Sequence, residues 1–159
     1  MIPNPKDLKA TALFEQWASV ELTDFDAFAT ELVQQNLFNR SVTLIPYFPY
    51  SRLRSHRLRG LEPIAEVVNT VTKRVSDKLD IYDQILAKQK YMAGDKFSLI
   101  DIFYMPYTWK LFEAGSGALI ESRPNVKAWW ERVSARESWK DERDIEAHKA
   151  WVSMVERLG

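Results

Sequence analysis

The most regular pattern of apolar positions along the chain runs from Leu61 to about Lys88. Apolar residues recur there at steps of three and four: Leu61, Ile64, Val68, Val71, Val75, Leu79, Tyr82 and Leu86. This spacing predicts an α-helix with one buried face. Valine is a weak helix former, but the regular pattern outweighs that preference. The acidic pair Asp80 and Asp83 is interpreted as part of the solvated face of this helix.

A second helical pattern covers Asp7 to about Asn36 and follows a short lead of residues 1–6. Its apolar residues stand mostly at helical spacing: Leu13, Trp17, Val20, Phe25, Phe28 and Leu32. They predict a long helix with one apolar face. Thr23 and Asp24 interrupt that face, and a kink is therefore expected near them.

Residues 37–60, between these two helices, show no helical pattern and are predicted to form an irregular loop. The segment holds prolines and aromatic residues, followed by SRLRSHRLR with four arginines and one histidine. A connection of this length is unusual in a compact domain, so it is expected either to be mobile or to face a ligand. Arg52, Arg54 and Arg57 are either solvated or bind an anion, because the guanidinium group matches a carboxylate.

The stretch YMAGDKFSLID, from Tyr91 to Asp101, predicts a turn followed by the start of a helix. Gly94 adopts positive φ without steric cost and therefore suits the turn. Ser98 stands three residues before Asp101, which is the spacing of a capping box at a helix N-terminus. The helix is predicted to run from Ser98 to about Phe112. Pro106 is expected to kink or end it, because proline removes one backbone hydrogen bond.

The rest of the chain predicts two more helices and no strand. Residues 113–122 contain two glycines and are predicted to form a loop. Pro124 suits the first turn of the next helix, whose apolar residues are Val126, Trp129, Trp130 and Val133. Residues 137–140 are predicted to be a link, and Asp141 to Leu158 a final charged helix. The prediction is an all-α bundle of about five helices that forms a single domain over residues 1–159.

Composition narrows the possible chemistry. The net charge is zero and the sequence pI is about 6.8, so no global charge favours nucleic acid or an acidic membrane surface. The chain has no cysteine and two histidines, which leaves no disulfide or thiol nucleophile and makes a metal site unexpected. The N-terminus lacks the apolar core of a signal peptide, and no run is long enough to span a bilayer. A cytoplasmic location is expected.

Two blocks of sequence carry a resemblance to a known family. The segment KYMAGDKFSLIDIFYMP, followed by SRPNVKAWWERVSARESWK, resembles the C-terminal helical domain of glutathione S-transferases, and most closely the phi-like class of plants and fungi. The segment EQWASVE, with Phe25 and Asp26 after it, resembles more weakly the first helix of the same domain. The resemblance spans nearly the whole chain. No part of the chain resembles the thioredoxin-like N-terminal domain of the family.

The resemblance implies a transferase that conjugates glutathione to a hydrophobic electrophile, for example a secondary metabolite, or isomerises the electrophile with glutathione as co-substrate. It also implies a homodimer. In the family the thiol is activated by the N-terminal domain, so no residue here takes the catalytic role and the catalytic residue is unknown. The alternative function is a non-catalytic protein-interaction module of the same helical type. Neither function involves a metal, nucleic acid or a membrane.

The resemblance also implies where a hydrophobic substrate would bind. In phi-like transferases the first helix lines the substrate pocket, which points to Trp17, Glu21 and Phe25, spaced four residues apart. The start of the third helix approaches the same cleft and adds Tyr104 and Tyr107. From the residues alone, a stripe of aromatic side chains is more often part of a hydrophobic core, and the substrate-binding interpretation stands beside it.

Overall fold

A computed structural model of the protein describes residues 2–38 and 63–143. The described residues are mainly helical, with no β-strand among them beyond one isolated bridge between Tyr91 and Gly94. The α-helices in chain order are α1 (Leu8–Val20), α2 (Ala27–Val33), α3 (Ala65–Leu86), α4 (Leu99–Glu113), α5 (Ala118–Glu121), α6 (Pro124–Ser134) and α7 (Glu137–Arg143). The predicted all-α class is confirmed. None of the described helices is long and apolar enough to cross a membrane.

The first predicted helix runs without a break in helical structure, but two of its segments are π-helical rather than α-helical: Glu21–Asp26 and Gln34–Phe38. The first of these turns contains Thr23 and Asp24, where a kink was expected. A π-helical turn takes an extra residue, which shifts the apolar positions that follow it. Trp17 before the turn and Phe25 within it both pack against Tyr82, with ring centroids 5.9 and 6.4 Å apart.

Helix α3 lies centrally in the described bundle and packs against α2 and α6. Its predicted face is buried at Val71, Val75, Leu79, Tyr82 and Leu86. Ile64 is different: it precedes the helix in extended conformation, and 54% of it is exposed. The periodic pattern therefore predicts the buried face correctly, but its predicted start at Leu61 is four residues before the start of the helix at Ala65.

The acidic pair on α3 is not simply solvated, which corrects the interpretation of Asp80 and Asp83. The guanidinium Nε of Arg123 donates to Asp80 Oδ1 at 2.7 Å, and Nη2 donates to the carbonyl of Ser76 at 2.9 Å. Asp83 accepts from the backbone N–H groups of Asn125 and Val126 at 2.8 and 3.1 Å. These bonds cap the N-terminus of α6 from the side of α3 and fix the angle between the two helices.

Of the two outcomes expected from the residue alone, Pro106 does not end α4, because the helix continues to Glu113; the kink stays a prediction. Proline inside a helix costs about 3 kcal/mol. Here the residues on either side of it are held by burial: Tyr104, Met105 and Leu111 lie in the core while Pro106 itself is exposed. Tertiary packing therefore outweighs the lost backbone hydrogen bond.

Two predicted connections are helical instead. Residues 113–122 include α5, whose Ile120 is buried. Residues 137–140 are not a link but the start of α7, where Trp139 packs against Trp109 and Trp130 with ring centroids 6.3 and 6.4 Å apart. Leu37 and Phe38 belong to the second π-helical turn, so the predicted loop of residues 37–60 begins later than expected. The remainder of that loop and most of the final predicted helix lie outside the described residues.

Candidate functional site

The predicted capping box is present at the start of α4. The Oδ2 atom of Asp101 accepts from the backbone N–H of Ser98 at 2.9 Å and from its hydroxyl at 3.2 Å. The hydroxyl oxygen of Ser98 in turn accepts from the N–H of Ile100 at 3.3 Å. These bonds satisfy backbone donors that a helix start otherwise leaves unpaired.

The Asp101 carboxylate also joins α4 to two other parts of the fold. Its Oδ1 atom accepts from the backbone N–H of Met92 and from the indole N–H of Trp129, each at 3.0 Å. The side chain is completely buried. One carboxylate thus connects the turn before α4, the first turn of α4 and the middle of α6. We assign it a structural role that positions α4.

Four of the five predicted substrate-binding residues are buried in the structure: Trp17, Glu21, Phe25 and Tyr104. Tyr82 of α3, which was not predicted, packs against the aromatic rings of this group. The Phe25 ring lies 4.9 Å from Tyr104, and Tyr82 meets Tyr104 edge-on at 5.7 Å. Trp17 is 6% exposed, Phe25 2% and Tyr104 0%. The fifth predicted residue, Tyr107, stands three residues further along α4 and is only half-buried. It therefore keeps surface that can contact a ligand.

Glu21 is the charged member of this group and opens the first π-helical turn. It is 9% exposed. Its carboxylate makes no hydrogen bond or ion pair with any residue in the described parts of the chain. Burial, together with the nearby charge of Asp26, raises the pKa of Glu21 from 4.5 to about 6. The group therefore exchanges a proton close to neutral pH.

Tyr82 and Tyr104 present two buried hydroxyls, and neither has a hydrogen-bond partner among the described residues. Burial raises the pKa of Tyr82 to about 12 and also raises the pKa of Tyr104. The charges of Glu21 and Asp24 contribute to both shifts. Each hydroxyl perturbs the ionisation of the other, although their geometry does not complete a hydrogen bond. Both phenols stay protonated at neutral pH and can act as hydrogen-bond donors.

Tyr82 was not singled out as a site residue from the sequence. The helical spacing placed it on the buried face of α3, but spacing cannot show that its ring meets that of Tyr104 on α4. The predicted anion-binding residues Arg52, Arg54 and Arg57 lie outside the described residues, so anion binding stays a prediction. In residues 2–38 and 63–143, no group of three His, Asp or Glu side chains could hold a metal ion.

A separate cleft of about 540 Å³ lies between the N-terminal lead and the turn before α4. Of the predicted residues, Ser98 lines it. The other lining residues are Ile2, Pro3, Asn4, Asp7, Ala10, Phe14, Ala93, Asp95, Lys96 and Phe97. The cleft is therefore distinct from the cluster of Trp17, Glu21, Phe25 and Tyr104.

Comparison with known protein families decides the identity of this bundle. Residues 40–137 match the family described as "Glutathione S-transferase, C-terminal domain". The chain belongs to this family. The resemblance predicted from the two sequence blocks is therefore confirmed, and the capping box and the helix that begins at Pro124 both fall within the matched residues.

Individual transferases support the assignment over a longer part of the chain. Glutathione S-transferase PM239X14 of Arabidopsis thaliana is 35% identical over 130 residues, covering 82% of this chain and 51% of that protein. The crystal structure of glutathione transferase F2 from Populus trichocarpa is 29% identical, with a TM-score of 0.73, over 93% of this chain and 59% of that one. The chain thus spans about half the length of the curated relatives it matches.

One similar structure contains a bound glutathione conjugate. Glutathione S-transferase I from maize was solved in complex with an atrazine glutathione conjugate; it is 25% identical, with a TM-score of 0.72, and the match covers 87% of this chain and 57% of that one. That transferase therefore binds glutathione joined to a hydrophobic aromatic molecule.

Proposed function

We propose that the protein works as a glutathione S-transferase, conjugating glutathione to a hydrophobic electrophile or isomerising the electrophile with glutathione. Family membership and the similarity to transferases over most of the chain carry this proposal. The maize structure supports the substrate class, because its ligand joins glutathione to an apolar aromatic group. We place the protein in the cytoplasm as a homodimer.

In this proposal the described helices form one wall of the site for the electrophile. Trp17, Phe25 and Tyr104 form its rigid base, because they are almost fully buried and fix the relation of α1 to α4. Tyr107 is the residue of this set that keeps exposed surface for contact. A site with a packed aromatic base and few polar groups suits an apolar small molecule.

Glutathione itself requires groups that bind its two carboxylates and lower the pKa of its thiol. We propose Arg52, Arg54 and Arg57 as carboxylate-binding residues, since arginine pairs with carboxylates in a bidentate manner. No residue of the 159 matches the serine, tyrosine or cysteine that activates the thiol in the family. The catalytic residue of the reaction therefore stays unassigned.

The experiment is a conjugation assay of the 159-residue chain with glutathione and an aromatic chloronitro electrophile, followed by absorbance. A rate above the uncatalysed reaction that saturates with both substrates supports the proposal. A variant with Arg52, Arg54 and Arg57 all changed to glutamine tests the carboxylate-binding role, and it should have a higher KM for glutathione. A rate equal to that of buffer at every substrate concentration would count against catalysis by this chain.

A non-catalytic interaction module is the second candidate function. It is favoured by large apolar side chains that stay exposed on separate helical segments, namely Leu22, Ile81 and Phe103. Exposed apolar side chains indicate a protein contact when they form one contiguous patch. The two functions differ in the assay above, because an interaction module has no turnover.

A further inference from the structure

Two arginines, one in α6 and one just after it, lie over two aromatic rings of the turn that precedes α4. The guanidinium carbon of Arg132 is 5.6 Å from the centroid of the Tyr91 ring, and that of Arg136 is 3.9 Å from the centroid of the Phe97 ring. The two rings meet edge to face, with centroids 5.8 Å apart. The four side chains therefore form one continuous feature, which we call the arginine–aromatic surface.

Hydrogen bonds hold this surface in place. Nε2 of Gln89 donates to the backbone carbonyls of Tyr91 and Met92 at 2.8 and 2.7 Å, which fixes the turn. Nη1 of Arg132 donates to the backbone carbonyl of Lys90, which joins α6 to the same turn. Long side chains lose conformational freedom when they bind a partner. Arginines that are already ordered therefore bind at a lower entropic cost.

Both arginines remain available to an anion. Each is exposed, and neither forms an ion pair within residues 2–38 and 63–143. A cation–π contact attracts the guanidinium group to the ring, but it supplies no carboxylate for the planar fork of N–H donors. Arg132 and Arg136 therefore present donors that match a carboxylate and have none among the described residues.

The positive charge around the arginine–aromatic surface is not neutralised by direct pairing. Lys90 and Lys96 are exposed, and no ion pair involves either of them in the part of the chain that the structure describes. The carboxylates that stand nearest along the chain belong to Asp95, Glu131 and Glu137, and none of them pairs with either arginine. A partner that brings its own carboxylates would complement this surface.

An acidic peptide fits this surface better than a nucleic acid does. Binding of single-stranded nucleic acid relies on exposed aromatic faces on which bases stack. Tyr91 and Phe97 are half-buried, and each has an arginine over its ring. An extended peptide needs no free aromatic face, because its carboxylates can pair with both guanidinium groups.

We propose that the arginine–aromatic surface binds an acidic segment of a partner protein, whose carboxylates pair with Arg132 and Arg136. The contact involves exposed charges, so the binding is weak and depends on salt. The proposal does not depend on the transferase activity, because none of these residues belongs to the sets proposed to bind the electrophile or glutathione.

The test is a titration of a fluorescein-labelled oligoglutamate peptide with the 159-residue chain, followed by fluorescence anisotropy. The peptide should bind, and its affinity should fall as the salt concentration rises. The variant Arg132→Gln/Arg136→Gln should bind at least about fivefold more weakly, because two charge pairs are lost. No binding by the unchanged protein, or an equal affinity of the variant, would overturn the proposal.

The matched control is Arg74→Gln/Lys9→Gln, which removes the same net charge elsewhere. Arg74 also lies over a ring, since its guanidinium carbon is 5.2 Å from the centroid of Phe28. The control therefore includes the loss of a cation–π contact, and its affinity should stay within about twofold of the unchanged protein. A loss as large as that of the first variant would show that overall charge, and not this surface, attracts the peptide.

The variant Arg132→Lys/Arg136→Lys separates pairing geometry from charge, and it keeps the test valid if the glutamine variant does not fold. Lysine keeps the charge but lacks the planar fork of donors, so the affinity should fall between those of the unchanged protein and the glutamine variant. An affinity equal to that of the unchanged protein would contradict the assigned pairing.

Labelled oligothymidylate, titrated at the same salt concentration, tests the choice of partner. It should bind more weakly than the oligoglutamate peptide, because no free aromatic face is available for its bases. Tighter binding of the oligonucleotide would assign this surface to nucleic acid and show that the proposed partner is wrong.

Discussion

The indole N–H of Trp129 donates to Oδ1 of Asp101 across 3.0 Å in the interior of the bundle. This bond connects α6 to the capping box of α4, two features whose sequences stand 28 residues apart. It explains how a local helix-start signal becomes part of the tertiary structure. The same carboxylate also accepts from Met92, so its loss affects three segments together.

Replacing Asp101 with leucine should therefore destabilise the protein strongly. Leucine has no acceptor, so the backbone N–H groups of Ser98 and Met92 and the indole N–H of Trp129 would lose their partner. We expect a loss of about 3 kcal/mol or more, since each unpaired buried group costs about 1–3 kcal/mol. Urea unfolding followed by tryptophan fluorescence measures it. Trp129→Phe removes one donor only and should cost less than Asp101→Leu; the reverse order would contradict this assignment.

Stability should depend on pH through Glu21. Its folded pKa of about 6 lies above the ordinary 4.5, so protonation favours the folded state. The contribution of Glu21 to the free energy of unfolding is fully present below pH 4.5 and is lost as the pH rises through 6. This contribution is about 2 kcal/mol, because each pKa unit corresponds to about 1.4 kcal/mol.

Glu21→Gln isolates this effect, because it keeps the shape and removes the titration. The free energy of unfolding of the variant minus that of the unchanged protein should increase between pH 5 and pH 7.5. Other titrating groups cancel in this difference. A difference that stays constant over the range would show that Glu21 is not perturbed.

Gly117 should not tolerate a side chain, although its backbone is helical. A Cβ atom there would lie 2.5 Å from Cδ1 of Phe112, whose ring stacks on Trp130 at 5.8 Å. We expect Gly117→Ala to cost about 1–3 kcal/mol by overpacking. In a Phe112→Leu background the same substitution should cost less, because the clashing ring is gone. An equal cost in both backgrounds would point to another cause.

Alanine substitutions at Phe25 and Tyr107 should have different effects, the first mainly on stability and the second mainly on ligand binding. Phe25 is buried, so Phe25→Ala should lower the free energy of unfolding by about 3–5 kcal/mol. Tyr107→Ala should change stability by less, but should raise the KM for the electrophile in the conjugation assay. If Tyr107→Ala leaves KM unchanged, this face of α4 does not contact the substrate.

The features that could be predicted from the sequence are those that depend on residues close together along the chain. Ser98 and Asp101 stand three residues apart, and the face of α3 follows a regular spacing, so both could be recognised without a structure. Asp83 could not be recognised as the cap of α6, because its partners Asn125 and Val126 lie more than 40 residues away. Arg123 likewise finds Ser76 and Asp80 only after α3 and α6 have packed.

The candidate site was predicted less completely than the fold. The spacing of Trp17, Glu21 and Phe25 correctly indicates a shared face, but spacing does not distinguish a core face from one that contacts a ligand. The structure shows that the face is buried and adds Tyr82 and its unpaired hydroxyl. The π-helical turn at Glu21–Asp26 also has no clear sequence signal beyond the interruption at Thr23 and Asp24.

The most direct test of the central claim is a calorimetric titration of the chain with glutathione and with S-hexylglutathione, at two salt concentrations. If the helical domain carries a site for glutathione joined to an apolar group, S-hexylglutathione should bind at least about tenfold more tightly, since each buried CH₂ contributes about 0.8 kcal/mol. Both affinities should fall at higher salt. Absence of measurable binding by either ligand would contradict the claim.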